Sequence, residues 1–283
     1  MSNAEMIRFW NDSAGPVWTT HEEKLDRQLA PLGARTRGRA ALRAGERVLD
    51  VGCGCGATTL ELAEAVGPSG RVVAVDVSQP MLDRARERAV RAGLGDRIDF
   101  RLDDAQTAKL EPAAYDVVFS RFGVMFFADP VAAFANLHGA LAPTGRLAFV
   151  CWQSREKNPW MIAPAIAAAR HIPFPQPPAP GAPGPMAFAD PDRVRTILAR
   201  AGFADAALEP VEGPLRFGGA NVDEALELAF SVGPLGAAIR EAKPTGEQHA
   251  RVVAAVREVL EGFQTPNGVE AASAAWIVTA RAS

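Results

Sequence analysis

The sequence predicts an α/β protein built on a mostly parallel sheet with helices on both faces. From residue 47 onward, short aliphatic runs alternate with amphipathic helical patterns, and the first run leads directly into a glycine-rich turn. Such alternation is typical of parallel strands joined by helical crossovers. A strand, a glycine-rich turn and a helix in succession also bring backbone N–H groups to a helix start, where a ligand can approach them. We therefore expect a binding site at the carboxyl ends of the strands.

The individual elements follow from the same patterns. Five aliphatic runs predict strands at residues 47–51, 71–77, 97–102, 115–120 and 146–152, and three amphipathic patterns predict helices at 58–66, 80–92 and 130–141. Pro80 and Pro130 each fit a first helical turn, with Ser78 and Asp129 as the expected N-caps. Ala92-Gly93 and the turn at residues 143–145 are expected to end helices.

Outside this alternating region the pattern predicts a cap. Seven of the thirteen residues from 173 to 185 are proline, which favours an extended strap or a lid. A helix at 190–202 and strands at 204–211 and 274–280 are expected, with helical stretches at 222–230 and 247–263. The predicted organisation is a helical cap segment (1–40), a core (41–152), a proline-rich lid (153–189) and a C-terminal part (190–283) with inserted cap helices at about 219–264.

Composition narrows the class of protein. A formal net charge of −3 argues against a sequence-independent nucleic-acid binder, which needs a basic face. The longest apolar stretches, such as residues 161–169, are too short to span a membrane. Three cysteines without a disulfide-like spacing suggest a reducing compartment, and the N-terminal residues do not resemble a signal peptide. We therefore expect a cytoplasmic globular protein without a nucleic-acid or membrane partner.

The glycine-rich turn has two interpretations. Gly52, Gly54 and Ala57 satisfy the G-x-G-x-x-[GA] fingerprint of dinucleotide-binding proteins, which suggests NAD. The form D-x-G-x-G-x-G, with Asp50 ahead of three alternating glycines, resembles the first motif of class I S-adenosylmethionine (SAM) methyltransferases. Asp76 ends the second predicted strand, where a carboxylate accepts the ribose hydroxyls of an adenosine ligand in either class. These residues leave both classes open.

Two further segments carry a more specific resemblance. Asp116, the apolar residues 121–128 and the Asp129-Pro130 helix start resemble motif IV of SAM methyltransferases of the ubiquinone/menaquinone-biosynthesis type. Residues 141–147 resemble the L-x-P-G-G-x-L turn of that family, with Thr144 in place of the first glycine. The resemblance covers about residues 45–152 and the last strand, and it favours SAM over NAD. It implies a Rossmann-like, seven-stranded, mostly parallel sheet with an antiparallel last strand and a helical cap.

The resemblance also implies which residues bind SAM, or the product S-adenosylhomocysteine (SAH). The glycine turn is expected to position the methionine end, Asp76 the ribose, and Asp104 rather than Asp103 the adenine amino group. Arg121 is expected to hold the SAM carboxylate or an acidic substrate; the alternative is a structural ion pair with Asp129 or Glu156. The expected cofactor-binding residues are Asp50, Gly52, Cys53, Gly54, Gly56, Asp76, Val77, Met81, Asp104, Ala105, Ser120, Arg121 and Trp18.

Several chemistries are disfavoured. Mg²⁺-dependent methyl transfer needs carboxylate or amide ligands after the fourth and fifth strands, but Ser120-Arg121 and Cys151-Trp152 stand there. Cys53 and Cys55 lack the second pair of ligands that a zinc site requires. The segment after the fourth strand also lacks the [DNS]-P-P-[YFW] motif of enzymes that methylate nucleic-acid amines. We therefore expect a metal-independent, in-line displacement.

The methyl acceptor is expected to be a small, partly apolar molecule. Aromatic residues predict the lining of its pocket, namely Trp10, Phe122, Phe126, Trp152 and Trp160. Weak candidates for a catalytic role are His21 and His171, which belong to the expected cap, and Arg121. Two alternatives remain, a nicotinamide-dependent oxidoreductase and a non-catalytic module that binds SAM or SAH.

Overall fold

A computed structural model describes residues 2–176 and 178–282. Within these residues, five strands lie parallel: Arg47–Val51 (β1), Arg71–Asp76 (β2), Ile98–Leu102 (β3), Tyr115–Arg121 (β4) and Leu141–Trp152 (β5). The remaining strands are Phe203–Arg216 (β6), the two-residue Gln264–Thr265 (β7) and Gly268–Ala282 (β8). The order in the sheet is β3-β2-β1-β4-β5-β8-β6, and β8 runs antiparallel to both neighbours. The predicted fold class is confirmed, with the short β7 paired to β8 as an addition to the seven expected strands.

Helices cover both faces of the sheet and its carboxyl edge. Along the chain they are Asn3–Arg8 (α1), Ala14–Thr20 (α2), Glu22–Ala40 (α3), Ala57–Val66 (α4), Gln79–Arg91 (α5), Pro130–Ala140 (α6), Pro159–Ala168 (α7), Pro191–Arg200 (α8), Val222–Ser231 (α9), Gly233–Ala242 (α10) and Gly246–Glu261 (α11). A π-helix, Phe9–Ser13, joins α1 to α2, and three short 3₁₀ turns lie at Gly95–Arg97, Val124–Phe126 and Arg155–Lys157. In the described ranges, no helix is long and apolar enough to cross a membrane.

The core lies on the two faces of the sheet. Alternate residues of one strand enter different clusters: Val48 belongs to one and Leu49 to the other, and both are fully buried. Strands covered on both faces are apolar along their whole length, which is why the sequence shows continuous aliphatic runs there. Burying one such side chain contributes about 1.5–3 kcal/mol.

Local structure departs from the sequence predictions at two places. Strand β5 begins at Leu141, directly after α6, so the expected turn at residues 143–145 lies inside the strand. The register between β4 and β5 shifts there, as a bulge with a glycine allows. Asp129 caps α6 through its side chain as predicted, whereas Ser78, at the N-cap position of α5, donates its hydroxyl to the Trp10 carbonyl instead.

The cap is assembled from both ends of the chain. Helices α1–α3 lie at the carboxyl edge of the sheet, and α9–α11 pack with α7 on the same side. The proline-rich segment, whose residue 177 lies outside the described ranges, is tied to the β4 loop by a hydrogen bond from Gly184 N to Met125 O at 3.0 Å. The domain boundaries drawn from the sequence stay a prediction.

Candidate functional site

A cavity of about 220 Å³ lies at the carboxyl ends of β1, β2, β4 and β5, beneath the cap. It brings together most of the residues predicted from the sequence. From the expected cofactor site it is lined by Asp50, Gly52, Cys53, Gly54, Asp76, Val77, Met81, Asp104, Ala105, Arg121 and Trp18. From the expected acceptor pocket it is lined by Trp10, Phe122, Phe126, Trp152 and Trp160.

The glycine-rich turn after β1 packs against the loop after β4, glycine on glycine. A Cβ added to Gly52 would lie 2.7 Å from Gly123 Cα, and one added to Gly123 would lie 2.6 Å from the Val51 carbonyl oxygen. Gly52 also has a φ of +68°, which L-residues rarely adopt. Only glycine at these two positions lets the two strand ends approach so closely that both border one cavity.

Asp76 links the β2 strand end to the glycine turn. Its carboxylate accepts hydrogen bonds from Gly54 N at 2.8 Å and from Ser78 N at 2.9 Å. Burial raises the pKa of Asp76, and these N–H donors partly oppose the shift. Each carboxylate oxygen can accept a further hydrogen bond, so Asp76 can hold a ligand hydroxyl while it keeps the turn in place.

Asp50 is the most buried carboxylate of the site. Its Oδ2 accepts a hydrogen bond from Thr59 Oγ1 at 2.6 Å, and the residue is 1% exposed. Burial raises the pKa of Asp50 to about 7, although the Thr59 hydroxyl lowers it. Asp50 therefore connects the end of β1 to the first turn of α4 and fixes the glycine turn between them.

Asp104 lies where the adenine was expected, and the N-terminal helix reaches it. Asp104 Oδ2 accepts a hydrogen bond from Asn3 Nδ2 at 2.6 Å, and Oδ1 accepts one from Gln106 N at 3.0 Å. The contact places α1 over the β3 end of the cavity. Asn3 was not among the predicted residues, because a lone asparagine carries no sequence signal for a partner about a hundred residues away.

The N-terminal segment is anchored at a second point, on the loop between β2 and α5. Asn11 donates to Val77 O at 2.8 Å and accepts from Gln79 N at 3.0 Å, while Ser78 Oγ donates to Trp10 O at 2.8 Å. The π-helix at these residues directs Trp10 onto the cavity; π-helical turns are frequent at functional sites. Two separate anchors thus hold this segment over the site.

Six charged side chains from three elements form a cluster beside the cavity. Asp26 pairs with Arg121 at 2.9 Å and with Arg88 at 2.8 Å, and Glu22 pairs with Arg84. Arg84 also pairs with Glu87 at 3.0 Å, so the three guanidinium groups face three carboxylates in all and the charges balance. The alternative considered for Arg121 was an ion pair with Asp129 or Glu156, whereas Asp26 of α3 supplies the carboxylate. The four-residue spacing of Glu22 and Asp26, and of Arg84 and Arg88, is the sequence signal that could have revealed this cluster.

The β4 and β5 ends form an aromatic wall. Phe122 stacks on Trp152 with ring centroids 4.2 Å apart, and Trp160 follows with its centroid 5.2 Å from that of Trp152. Phe122 reaches this position with a φ of +61°, an uncommon conformation for a bulky residue and one that clusters at functional sites. Across the cavity, Trp10 meets Phe126 edge to face at 5.1 Å. Flat apolar surfaces of this kind suit a planar or hydrocarbon ligand.

Three polar side chains of the cavity lining have an atom without a hydrogen-bond partner among the described residues. They are Gln28 (Oε1), Glu22 (Oε2) and Thr58 (Oγ1), all of them buried. Burying an unpaired acceptor is unfavourable by about 1–3 kcal/mol. Since Gln28 sits among apolar neighbours on α3, such as Leu25 and Leu29, its amide offers a defined polar contact to a ligand.

Four predicted residues do not line the cavity. Ser120 Oγ donates to Val51 O at 2.7 Å and accepts from Gly123 N, so it ties β4 to β1. Gly56 forms the N-cap of α4. His21 lies 3.9 Å from Glu227, where burial lowers its pKa, and the His171 carbonyl accepts from Gln248. The other two histidines pack on phenylalanine rings elsewhere.

The two cysteines of the glycine turn are buried thiols. Burial raises the pKa of Cys55 to about 12 and that of Cys53 well above its usual value. At neutral pH both stay protonated, whereas the thiolate is the form that binds metals and attacks electrophiles. Across the described residues, no group of three histidine, cysteine, aspartate or glutamate side chains is arranged to hold a metal ion.

Comparison with known proteins assigns the part of the chain that holds this site. Residues 48–145 match a family model described as a methyltransferase domain. This segment of the chain is thus similar to a methyltransferase domain. The matched segment runs from β1 into β5, and it includes the glycine turn, Asp76, Asp104 and Arg121. The family resemblance drawn from the sequence is thereby confirmed.

Curated proteins that are similar to part of this chain include named methyltransferases. The aklanonic acid methyltransferase of Streptomyces sp. (strain C5) is 37% identical over 119 residues, 42% of this chain and 54% of that protein. The ubiquinone/menaquinone biosynthesis C-methyltransferase of Hahella chejuensis (strain KCTC 2396) is 34% identical over 121 residues, 43% of this chain and 48% of that protein. The chain thus spans about half the length of the curated relatives it matches.

Solved structures resemble most of this chain in fold. A putative methyltransferase from Bacillus halodurans C-125 has a TM-score of 0.56 at 18% identity, covering 88% of this chain and 98% of that one. The [4+2]-cyclase SpnF has a TM-score of 0.54 at 22% identity, covering 89% and 80%. At these identities the likeness shows a shared fold, and function has to be argued from the site.

Proposed function

We propose that this protein is a SAM-dependent methyltransferase that acts on a small, partly apolar molecule without a metal ion. The observation that carries the proposal is that one cavity contains two half-sites, one for the cofactor and one for the methyl acceptor. The glycine turn and Asp76 border one side, and the aromatic wall of Phe122, Trp152 and Trp160 borders another. A pocket that is mainly apolar with a few directed polar groups is typical of small-molecule sites.

The half-site at β1–β3 fits SAM. The close contact of Gly52 with Gly123 leaves backbone rather than side chains at the turn, where the methionine end is proposed to lie. Asp76 keeps acceptor capacity for the ribose hydroxyls, and Asp104 is already shown to accept from an amide NH₂ at 2.6 Å, as it would from the adenine amino group. Val77, Met81 and Ala105 supply the apolar contacts around the adenosine in this proposal.

Arg121 is proposed to bind the SAM carboxylate. Its ion pair with Asp26 is compatible with this role, because a guanidinium has five N–H donors and Asp26 accepts from the Nη2 end alone. A ligand carboxylate next to Arg121 would accept from the remaining N–H groups, and a charge-assisted hydrogen bond of this kind is stronger than one between neutral groups. The pair with Asp26 would then serve to orient the guanidinium.

The protein's part in the transfer is positioning and exclusion of water. SAM supplies a methyl group on a sulfonium centre and leaves as SAH once the methyl is transferred. Correct placement of two reactants in a closed site accounts for a large share of the rate in such reactions. Trp10 and Trp18 on the anchored N-terminal segment cover the cavity and keep water from it in this proposal.

The acceptor is proposed to be a planar or hydrocarbon molecule that carries a hydroxyl or similar donor. The aromatic wall favours the apolar part, and the unpaired Gln28 Oε1 favours a donor on the ligand. The names of relatives such as the aklanonic acid methyltransferase and the 27-O-demethylrifamycin SV methyltransferase agree with a small-molecule acceptor. Since none of the four histidines lines the cavity, we no longer assign a general base to His21 or His171.

Methyl transfer from labelled SAM tests the proposal. The protein is incubated with methyl-labelled SAM and a panel of planar phenols, carboxylic acids, amines and thiols, and SAH and labelled product are quantified. Formation of both in equal amounts, lost in Asp76→Ala, supports the proposal. If SAM binds with micromolar affinity and no panel member yields labelled product, the non-catalytic SAM-binding module is the better description. If NADH binds and SAM does not, a nicotinamide-dependent oxidoreductase is the better description.

A further inference from the structure

Three neighbouring strands begin with arginine at the edge of the sheet opposite the SAM cavity. Arg47 and Arg71 are register partners at the starts of β1 and β2, and Arg97 immediately precedes β3, whose Ile98 pairs with Val72. Adjacent strands lie about 4.8 Å apart, so the three side chains start from neighbouring points on one edge of the sheet. A second cavity, of about 230 Å³, opens there, and its lining includes four arginines (these three and Arg101), two aspartates (Asp96 and Asp99) and Tyr115.

The cavity keeps an excess of positive charge. Arg47 pairs with Glu111 and Arg101 with Asp99, each at 2.7 Å. Arg71 and Arg97 donate only to backbone carbonyls, those of Gly70 at 2.8 Å, Pro68 at 3.1 Å and Ala63 at 3.2 Å. In the described part of the chain, no carboxylate pairs with either of these two side chains. On a protein with a net charge of −3, this is a local reversal of sign.

Tyr115 supplies the second, independent observation. The residue is fully buried and lines the cavity, yet its hydroxyl has no hydrogen-bond partner among the described residues. Native proteins rarely bury a hydroxyl unpaired, so a group from outside the chain is expected to satisfy it. Burial raises the pKa of Tyr115, which keeps the phenol protonated and able to donate. The Arg47 guanidinium lies 5.5 Å from the same ring.

We propose that this cavity is a second binding site, separate from the methyl-transfer site, that takes the phosphate group of a small molecule. A phosphate dianion offers three terminal oxygens, and guanidinium groups bind such oxygens in pairs of parallel hydrogen bonds. Arg71 and Arg97 supply the charge, and the Tyr115 hydroxyl donates to one oxygen. The site lies at the amino ends of the parallel strands, while the SAM cavity lies at their carboxyl ends.

The chain has a single tyrosine, which makes the site directly observable. Protein labelled with ring-¹³C tyrosine gives one tyrosine spin system, and it is titrated with inorganic phosphate at constant ionic strength, with chloride as the control anion. We expect a saturable shift of the Tyr115 signal with phosphate and none with chloride. A Tyr115 signal that does not move, or that moves equally with both anions, overturns the proposal.

Matched variants distinguish phosphate binding at this cavity from a general effect of the protein's charge. The double variant Arg71→Gln/Arg97→Gln is expected to weaken phosphate binding at least tenfold. The control Arg195→Gln/Arg251→Gln removes the same charge from exposed ion pairs on α8 and α11 and is expected to change binding less than twofold. Equal weakening by both double variants overturns the proposal. Circular dichroism and the position of the Tyr115 signal before titration show that each variant is folded.

The hydroxyl itself is tested by Tyr115→Phe, with calorimetry as the readout. We expect phosphate affinity to fall several-fold while SAM affinity stays the same. An unchanged phosphate affinity removes Tyr115 from the site. Because phosphate and SAM are titrated separately, failure of this proposal and failure of the methyltransferase assignment give different results.

Discussion

The contact between the glycine turn and the β4 loop can be tested by adding single methyl groups. Gly52→Ala introduces two costs, a Cβ 2.7 Å from Gly123 Cα and an L-residue at a φ of +68°. The left-handed backbone costs about 1–2 kcal/mol, and overpacking of a tight contact costs about 1–3 kcal/mol. We therefore expect Gly52→Ala to lower the free energy of unfolding by about 2–5 kcal/mol.

Two other glycines separate these costs. Gly93 has the same φ of +68° and no atom within 4 Å of an added Cβ, so Gly93→Ala carries the backbone cost alone. Gly123 has a φ of −81°, so Gly123→Ala carries the steric cost alone, with a Cβ 2.6 Å from Val51 O. Urea unfolding measures the stability of each variant, and calorimetry measures its SAM affinity.

The SAM affinity of each variant shows whether its effect is confined to stability or also reaches the binding site. Gly52→Ala and Gly123→Ala are expected to lower it at least tenfold, since a shift of the turn by under an ångström misplaces the ligand. Gly93→Ala is expected to leave SAM affinity within twofold of that of the unmodified protein. If Gly52→Ala and Gly93→Ala lose the same stability and the same affinity, the close contact does not position a ligand and the reasoning is refuted.

Three carboxyl and amide variants give further predictions. Asp76→Asn should weaken SAM binding by about 1–3 kcal/mol by calorimetry and should also lower stability, because the amide keeps one acceptor oxygen for the N–H groups of Gly54 and Ser78. Unchanged SAM affinity would remove the ribose assignment. Asp50 keeps a proton in the folded state up to a pH of about 7, so stability should fall by about 2–4 kcal/mol as pH rises from 4 to 7. Asp50→Asn should flatten that slope in urea titrations, and an identical slope would contradict the assignment. Gln28→Leu should stabilise the protein by about 1–2 kcal/mol, because it removes a buried acceptor without a partner. The control Gln153→Leu removes a 2.9 Å hydrogen bond to Ala275 O and should destabilise the protein. If both variants destabilise it, Gln28 is not unpaired.

The sheet was predictable because its strands are buried on both faces. Continuous aliphatic runs such as Arg47–Val51 leave few alternatives to a parallel sheet, and proline and aspartate set the start of α6. The ends of strands were predictable for the same reason, which is why Asp50, Asp76 and Asp104 fall on one cavity. Helices α7 and α10 and the strand β7 were missed: α7 is apolar on nearly all sides and shows little amphipathic period, and β7 has only two residues.

The cap side of the site could not be predicted from local patterns. Gln28 and Asp26 lie on a helix whose apolar face is shared between core and cavity, and periodicity does not distinguish these two surroundings. Asp129 and Glu156 were the alternative partners considered for Arg121, but the fold packs α3 against β4 and places Asp26 2.9 Å from its guanidinium. His21 belongs to the cap as predicted, but its side chain faces Glu227 and not the cavity. The direction of a side chain depends on tertiary packing, which local sequence patterns do not reveal.

The central claim, that the glycine turn and Asp76 bind SAM, is tested most directly by calorimetric titration with SAM, SAH and NADH. The account predicts one site with micromolar affinity for SAM and SAH, at least fivefold weaker in Asp76→Asn, and no binding of NADH. Binding of NADH alone, or SAM binding that Asp76→Asn and Gly52→Ala leave unchanged, would contradict it.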